Sequence, residues 1–264
     1  MPEGDTIFRT ASTLRRALAG ERLVRFEAAR LRAQPPAPGT EVRSVEARGK
    51  HLLIAFDDGR VLHTHMQMSG SWHVYRPGER WRKHRSQARV VLETADAVAV
   101  CFTAPVVELL DANGVRTHPR LSALGPDLCS PDVDLDEALR RLDTLSPETE
   151  IGVALLDQRV ACGVGNVYKS ETLFARRTDP FARVGDLDAG ARRALLAGAS
   201  ELLRRNLAGG PRATFEGELA VYGRTRRPCP RCGTAISSRR QGEAARMTYW
   251  CPSCQTLGQT EATR

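Results

Sequence analysis

The strongest secondary-structure signal in the sequence is LLIAFDDGRVLHTH, at residues 52–65. An apolar run at 52–56 is followed by the acidic turn Asp57-Asp58-Gly59 and by a second run at 61–65. An Asp-Gly turn between two runs rich in strand-forming residues is typical of a β-hairpin. The stretch therefore predicts two antiparallel strands.

Similar runs continue along the N-terminal half. Residues 89–92 and 97–101 flank another acidic turn, and a further run follows at 106–110. The Pro-rich segment 35–39 is typical of a loop. Many short strands at this spacing predict a sandwich or barrel-like domain over about residues 21–111.

A helix is predicted before these strands. Apolar residues recur at helical spacing, with Asp5 or Thr6 as the expected N-terminal cap and Gly20 as the end. The apolar positions are Ile7, Ala11, Leu14 and Leu18.

The second half changes in character. Residues 112–135 are rich in Pro, Gly, Asp and Ser, which predicts a linker. Helical periodicity follows in four segments, at 134–143, 147–160, 166–176 and 187–207. The glycine turn at 161–166 separates two of these helices. Such a turn binds the DNA backbone in many folds, although helical hairpins also turn on glycine for packing reasons.

Composition limits the class of protein. The 264 residues are 41% hydrophobic and 27% charged, with a net charge of +8, which favours a globular protein with a polyanionic partner. Only Lys50, Lys83 and Lys169 are lysines, so lysine chemistry has three candidates. We find no apolar stretch long enough for a membrane span and no secretory signal, and expect a cytoplasmic, nucleoid-associated protein.

Four of the seven cysteines form a metal-binding pattern. Cys229, Cys232, Cys251 and Cys254 give two C-x2-C pairs separated by eighteen residues. Four thiolates fill a tetrahedral Zn²⁺ site and leave no position for water, so we expect one structural zinc ion. Arg239, Arg240 and Arg246 lie between the pairs, where a hairpin would present them to DNA phosphate; a zinc ribbon for protein contacts is the alternative. The remaining cysteines are expected to be buried small hydrophobic residues: Cys101, Cys129 and Cys162.

Several motifs occur in an order that is typical of one family. They are Met1-Pro2-Glu3-Gly4-Asp5-Thr6, the N-terminal helix, Arg48-Gly49-Lys50-His51, the segment from His65 to Trp72, the segment from Gln158 to Glu171, and the four-cysteine module. Together they resemble the formamidopyrimidine-DNA glycosylase/endonuclease VIII family, and in particular its endonuclease VIII branch. The resemblance extends from residue 2 to about residue 254.

The resemblance implies a catalytic group formed by Pro2, Glu3, Lys50 and Arg246. The initiator Met1 would be removed, and the secondary amine of Pro2 would attack C1′ of a damaged nucleotide. Glu3 would act as the acid/base, and Lys50 would bind phosphate near the lesion.

The resemblance also implies a DNA-binding set. His65 would contact phosphate, although a single strand histidine is more often structural. The intercalating loop would be Gln67, Met68 and Ser69, with an ordinary hairpin tip as the alternative. A phosphate clamp would be formed by Gly165 and Asn166, and Arg246 of the finger would bind the phosphates that flank the lesion.

The predicted fold class is therefore α+β and multidomain. A catalytic β-sandwich with a flanking helix covers residues 1–118, and a helix–two-turn–helix domain covers 128–215. A β-hairpin zinc finger covers 224–254, and a flexible tail covers 255–264. The predicted partner is damaged DNA, bound by a monomer without a membrane or a small-molecule cofactor.

The resemblance implies a bifunctional glycosylase and abasic-site lyase, which is the first hypothesis. Its substrate class is open. The short run from Gly209 to Val221 favours oxidised pyrimidines, whereas Met68-Ser69-Gly70-Ser71 is similar to the oxidised-purine branch. Endonuclease VIII proteins commonly carry a second acid at the position of Thr6, and here the nearest acid is Asp5. A catalytically reduced protein that binds damaged DNA is therefore a second hypothesis, and a zinc-ribbon transcription or scaffold protein is a third.

Overall fold

The computed structural model describes residues 2–28, 30–31 and 33–256. Two compact units, Met1–Ala123 and Leu124–Arg264, make up the chain. In the described part of the chain, no helix combines the length and the apolar character that crossing a membrane requires.

The first unit is a β-sandwich with one long helix. Its elements are α1 (Gly4–Leu18), β1 (Arg25–Glu27), β2 (Val42–Arg48), β3 (His51–Phe56), β4 (Arg60–His65), β5 (Ser71–Tyr75), β6 (Ala88–Glu93), β7 (Val98–Phe102), β8 (Val106–Asp111) and α2 (Ala112–Thr117). Two antiparallel four-stranded sheets have the orders β1-β6-β7-β5 and β2-β3-β4-β8. The predicted hairpin is confirmed as β3 and β4, and so is the sandwich.

The apolar core of this unit includes residues of both sheets and of α1. Leu14 of α1, Ile54 of β3 and Leu92 of β6 belong to the same buried cluster. All four predicted apolar positions of α1 are buried, since their spacing places them on one face of the helix. The helix is thereby attached to the sandwich along its whole length.

The predicted cap of α1 is wrong. Glu3 occupies the N-cap position, and its carbonyl accepts a hydrogen bond from the Ile7 amide at 3.1 Å. Asp5 and Thr6 lie in the first turn, where the Thr6 hydroxyl donates to Asp5 and Arg9 pairs with the same carboxylate. Because these side chains bond to one another, neither of them caps the helix.

The predicted linker contains a short helix. The segment 112–135 begins with α2, whose N-cap Asp111 accepts a hydrogen bond from the Gly114 amide at 2.6 Å. This cap satisfies one of the free N–H groups of the first turn, so six residues suffice for a helix here.

The second unit is helical and ends in a β-hairpin. Its elements are α3 (Leu135–Asp143), α4 (Ile151–Ala154), α5 (Asn166–Ala175), α6 (Ala189–Arg205), β9 (Ser237–Gln241) and β10 (Arg246–Trp250). Three predicted helices correspond to α3, α5 and α6.

The long helix predicted over 147–160 is wrong, because only α4 forms there. The Asp157 carboxylate accepts a hydrogen bond from the Arg159 amide at 2.9 Å, and the Asp157 carbonyl accepts from Val160. Local bonds of this kind compete with a helix.

The segment predicted as a tail contains an ordered residue. Gln255 is buried, accepts from the Cys251 amide and donates to the Thr178 carbonyl. The rest of that prediction, residues 257–264, lies outside the described part of the chain.

We predict that Leu14→Ala destabilises the first unit by about 2–5 kcal/mol, because truncating a buried leucine leaves a cavity. The exposed neighbour Thr13 is the control, and Thr13→Ala should change the free energy of unfolding by less than about 1 kcal/mol. Denaturant unfolding of both variants measures this. Equal losses would contradict the assignment of α1 to the core.

Candidate active site and nucleic-acid interface

The N-terminus of the described chain leads directly into α1. Pro2 is partly exposed, and Glu3 is fully buried immediately before the helix. The next carboxylate, Asp5, is also fully buried and is 3.7 Å from a guanidinium nitrogen of Arg9. Pro2 and a buried acid therefore lie next to each other at the start of a helix that is fixed in the core.

Lys50 and His65 are placed at one end of the β2-β3-β4-β8 sheet. The turn between β2 and β3 contains Gly49 in the left-handed region (φ 57°), followed by Lys50. His51, the first residue of β3, pairs with His65, the last residue of β4. Two of the predicted phosphate-binding residues thus lie at the same end of this sheet, Lys50 in the turn before β3 and His65 at the end of β4.

The imidazole of His65 is neutral at physiological pH. Burial, together with the nearby charges of His63, Lys50 and Arg120, lowers the pKa of His65 to about 4. Its Nδ1 accepts a hydrogen bond from the Gln67 amide at 3.2 Å. This bond leaves the hydrogen of the neutral ring on Nε2, so that His65 is a hydrogen-bond donor rather than a cation.

The segment 66–70 connects two different sheets. It joins β4 of one sheet to β5 of the other, so the alternative of an ordinary hairpin tip is wrong. Met66 is buried, whereas Met68 is 67% exposed. Among the described residues the large exposed hydrophobic side chains are Val24 and Met68. An exposed methionine on a connection of this kind has the character of an interaction residue.

Short contacts hold this segment in place. The Ser69 hydroxyl donates to the Thr103 carbonyl at 3.2 Å, and the Thr103 hydroxyl donates to the Ser69 carbonyl at 2.6 Å. A Cβ at Gly70 would lie 2.7 Å from the Met66 backbone, which permits only glycine there. Met68 therefore projects from a segment whose backbone is fixed on both sides.

The glycine turn of the second unit is organised by Gln158. Its side chain accepts from the Gly163 amide at 3.2 Å and donates to the Val164 carbonyl at 3.0 Å. Gly163 has a φ of 109°, and Gly165 is the N-cap of α5. The structure thus brings backbone groups of the turn to the N-terminus of a ten-residue helix, where anions bind favourably.

Two side chains of α5 bind the hairpin of the finger. Asn166 donates through Nδ2 to the Met247 carbonyl at 2.7 Å, and the fully buried Lys169 donates to the Thr248 hydroxyl at 2.6 Å. Arg246 directly precedes this pair on β10 and is exposed. The position of Arg246 is therefore fixed relative to α5.

The other two arginines between the cysteine pairs are exposed and make contacts within the second unit. The Arg239 guanidinium lies 3.5 Å from the centre of the Phe181 ring, and Arg240 donates to the Ala245 carbonyl at 3.3 Å. The two-stranded hairpin that we predicted for the finger is present as β9 and β10.

The four cysteine sulfurs converge within 4.8 Å of one another. Three of the Sγ–Sγ separations are 3.9 Å for Cys229–Cys254, 3.5 Å for Cys232–Cys251 and 3.4 Å for Cys232–Cys254. Four sulfurs at 2.3 Å from a tetrahedral Zn²⁺ would be about 3.8 Å apart. The arrangement therefore fits a zinc ion. The other three cysteines are buried, as predicted, and burial raises the pKa of the Cys101 thiol to about 12.

Glu171, which ends one of the motifs named above, has a structural role that the sequence did not predict. Its buried carboxylate accepts from the Thr214 hydroxyl and from the backbone amides of Ala220, Val221 and Tyr222. It thus fixes the segment that follows α6. The predicted helix over 166–176 contains polar and apolar residues alike, and the partners of Glu171 are more than forty residues away in the chain, so no local pattern indicated its role.

Three known domain families match successive parts of the chain. The formamidopyrimidine-DNA glycosylase N-terminal domain matches residues 1–105. The formamidopyrimidine-DNA glycosylase H2TH domain matches 124–216, and the zinc finger found in this glycosylase and in isoleucyl-tRNA synthetase matches 227–257. The chain belongs to the formamidopyrimidine-DNA glycosylase/endonuclease 8 family.

Full-length relatives agree with this assignment. A probable endonuclease 8 2 of Streptomyces coelicolor is 43% identical over 97% of this chain and 94% of its own length. A DNA-(apurinic or apyrimidinic site) lyase of Mycolicibacterium smegmatis is 40% identical over 97% and 99%, and endonuclease 8 of Escherichia coli is 34% identical over 97% and 100%.

The fold matches solved structures of the same family. The Lactococcus lactis formamidopyrimidine-DNA glycosylase, bound to DNA that contains an abasic site, has a TM-score of 0.83 at 23% identity. The match covers 97% of this chain and 100% of that chain. At this identity the likeness concerns the fold.

We predict that the free energy of unfolding decreases as the pH falls from 6.5 to 4.5. Burial and the neighbouring His65, His63, His118 and Arg120 lower the pKa of His51 to about 3, and the pKa of His65 is about 4. The unfolded chain takes up these protons near pH 6.5 and the folded chain does not, so acid favours unfolding. Each histidine changes the free energy of unfolding by at most about 1.4 kcal/mol per pH unit.

Urea unfolding across this pH range tests the prediction. His51→Leu should flatten the pH dependence, whereas the same change at the exposed His84 should leave it as in the wild type. An unchanged slope in His51→Leu would show that the buried imidazole is not its source.

Proposed function

We propose that this protein is a bifunctional DNA glycosylase and abasic-site lyase that uses Pro2 as its nucleophile. The observation that carries the proposal is the placement of Pro2 beside the buried Glu3, at the start of a helix that is fixed in the core. The family membership and the names of the relatives support it. In this proposal Met1 is removed, which frees the secondary amine of Pro2.

The chemistry follows from that amine. Its nitrogen bonds to C1′, the bond from C1′ to the base breaks, and the base leaves with the electron pair and a proton. The nitrogen loses its own proton, the bond from C1′ to the ring oxygen O4′ then breaks, and O4′ takes up a proton. Because the nitrogen carries no further hydrogen, the ring-opened product is a cationic iminium between the nitrogen and C1′. Loss of a proton from C2′ then expels the 3′-phosphate (β-elimination), and a second elimination can release the 5′-phosphate (δ-elimination).

Glu3 is the proposed acid/base for these proton transfers. A carboxyl group can take up and return a proton, and this one is buried in the part of the chain that carries the nucleophile. It follows Pro2 in the chain, which places the proton carrier next to the nucleophile.

Phosphate binding is assigned to five residues. Lys50 and His65 provide a cation and a neutral donor at the sheet end, while Gly165 and Asn166 provide donors at the start of α5. Asn166 uses one amide hydrogen for Met247, and its second would serve the phosphate. Arg246 is exposed on β10, a strand that contacts of α5 hold in place. This position suits a bidentate contact with phosphate. By holding the DNA strand that contains the lesion, Arg246 would also support catalysis.

The segment of Gln67, Met68 and Ser69 is the proposed intercalating loop. A flipped nucleotide leaves a gap in the duplex, and an exposed Met68 on a fixed backbone is a suitable apolar wedge. Gln67 would face the orphaned base. The short segment from Gly209 to Val221 favours oxidised pyrimidines as substrates over oxidised purines.

A second candidate function is the binding of damaged DNA with reduced catalysis. It is favoured by Thr6, which replaces the usual second acid, and by the engagement of Asp5 with Thr6 and Arg9. Covalent trapping distinguishes the two functions.

One structural zinc ion is proposed at the four cysteines, where it would fix the hairpin that carries Arg246. We further propose a monomer that associates with the nucleoid in the cytoplasm. Its proposed parts are a catalytic domain (1–118), a helix–two-turn–helix domain (128–215) and the finger (224–254).

We predict that borohydride traps the wild-type protein on abasic DNA and that Pro2→Gly lowers the trapping rate on the order of 10³-fold. The matched control is Pro38→Gly in an exposed loop, which should trap like the wild type. Gel analysis of the covalent adduct gives the measurement. Wild-type protein that binds abasic DNA without being trapped would favour the second candidate function.

We predict about one zinc ion per chain and its loss in Cys232→Ala. Without metal the finger should unfold and DNA affinity should fall at least tenfold, while the first unit stays folded. Metal analysis, proteolysis and DNA titration measure these outcomes, with Cys129→Ala as the control that keeps its zinc. Unchanged affinity after metal loss would refute the role of the finger.

A further inference from the structure

Four of the six histidines of the chain lie together in the first unit. On the β2-β3-β4-β8 sheet, His51 pairs with His65 and His63 pairs with Glu108. The residues that alternate with them, such as Leu52 and Leu62, belong to the apolar core. The polar residues therefore occupy the opposite face of the sheet, and His118 reaches them from the segment after α2.

These side chains form a continuous hydrogen-bonded chain. His51 Nδ1 is 2.8 Å from His63 Nε2, and His63 Nδ1 is 2.8 Å from Glu108 Oε2. His118 Nε2 is 3.1 Å from the same carboxylate oxygen. The ring of His65 packs edge-on against His51, with 4.7 Å between the ring centres. We call His51, His63, Glu108 and His118 the histidine–glutamate chain.

The direction of every bond in this chain is determined. His118 Nδ1 accepts from the backbone amides of Arg120 and Leu121, both at 3.2 Å, so its hydrogen is on Nε2 and is donated to Glu108. The carboxylate accepts only, so His63 donates from Nδ1. His63 Nε2 must then accept from His51 Nδ1. As a consequence, His51 Nε2 has a lone pair at the sheet end that carries Lys50 and His65.

A metal ion is the competing explanation for such a cluster. The ligand atoms of His63, Glu108 and His118 lie within 4.8 Å of one another. However, His118 could bind a metal through Nε2 only if its hydrogen moved to Nδ1, where two backbone N–H groups already point. The arrangement therefore favours a hydrogen-bonded chain.

We propose that Glu108 and His63 are positioning residues, which act through His51 to hold Lys50 and His65 in place for phosphate binding. The proposal rests on the proposed function of Lys50 and His65. Its basis is the chain of short contacts from Glu108 to the first residue of β3, which directly follows Lys50 and packs against His65. Glu108 itself lies two strand positions from the end of the sheet and is not proposed to touch DNA.

Two substitutions at Glu108 should affect the histidine–glutamate chain differently. Glu108→Leu leaves the buried N–H of His63 without an acceptor, so that His63 and His51 can reverse their hydrogen positions. Glu108→Gln keeps an acceptor oxygen, and one oxygen accepts both bonds in the native chain. The glutamine variant should therefore retain the geometry.

Affinity for duplex DNA with a tetrahydrofuran abasic analogue tests the proposal without requiring catalysis. We expect Glu108→Leu to raise Kd about tenfold and Glu108→Gln to change it less than about threefold. The matched control is Glu46→Leu, because Glu46 is exposed in the same cross-strand row of this sheet. This control should bind like the wild type.

A double-mutant cycle separates positioning from a merely structural role. If Glu108 acts through the phosphate-binding pair, Glu108→Leu should have little further effect on Kd in a Lys50→Met, His65→Ala background. A tenfold loss in that background as well, or an equal loss in Glu108→Gln, would overturn the proposal.

Imidazole ¹⁵N spectra of the free protein provide a test that does not depend on DNA. Neutral Nδ1–H forms of His63 and His51 and an Nε2–H form of His118 are expected, with His63 altered in Glu108→Leu. Other tautomers, or a second zinc ion per chain, would refute the histidine–glutamate chain. Failure of wild-type trapping alone would instead refute the proposed function.

Discussion

The burial of α1 in the core of the first unit is the contact on which the proposed chemistry depends. A chain terminus is usually poorly ordered, and a terminal nucleophile needs a fixed position. Here Pro2 is two residues before a helix whose apolar face, from Ile7 to Leu18, belongs to the same buried cluster as residues of both sheets. The buried contacts of α1 therefore give the Pro2 nitrogen and Glu3 a defined position.

In the second unit, buried contacts likewise fix the position of a proposed phosphate-binding residue. Arg246 lies on a short hairpin that could not build a core of its own, and its position is defined by contacts with α5 and by the cysteine cluster. The fully buried Lys169 is part of this connection, since its ammonium donates to Thr248 on the finger. Each proposed DNA contact is therefore made from an element fixed by buried contacts, which keeps the cost of ordering on binding low.

Local patterns in the sequence predicted much of this structure. The spacing of the apolar residues predicted α1, the Asp-Gly turn predicted the β3–β4 hairpin, and the cysteine spacing predicted the metal cluster. The errors were also local: the side chains of Asp111 and Asp157 accept backbone hydrogen bonds that start α2 and interrupt the helix predicted over 147–160. Whether a side chain accepts such a backbone hydrogen bond depends on its geometry, which cannot be read from the periodicity of apolar residues.

The features that escaped prediction depend on contacts between distant parts of the chain. Glu108 and His63 are forty-five residues apart and meet because the register of β4 and β8 makes them a cross-strand pair. The four hydrogen bonds of Glu171 likewise come from residues more than forty positions away. The histidine–glutamate chain and the anchored segment after α6 therefore become visible only in the folded protein.

The central claim is that the nitrogen of Pro2 forms the covalent bond to the sugar. It is tested most directly by reducing the complex with abasic DNA, digesting protein and DNA, and locating the sugar remnant by mass spectrometry. The account predicts the added mass on the N-terminal peptide, at the Pro2 nitrogen. Added mass on a peptide that contains Lys50, Lys83 or Lys169 would contradict it.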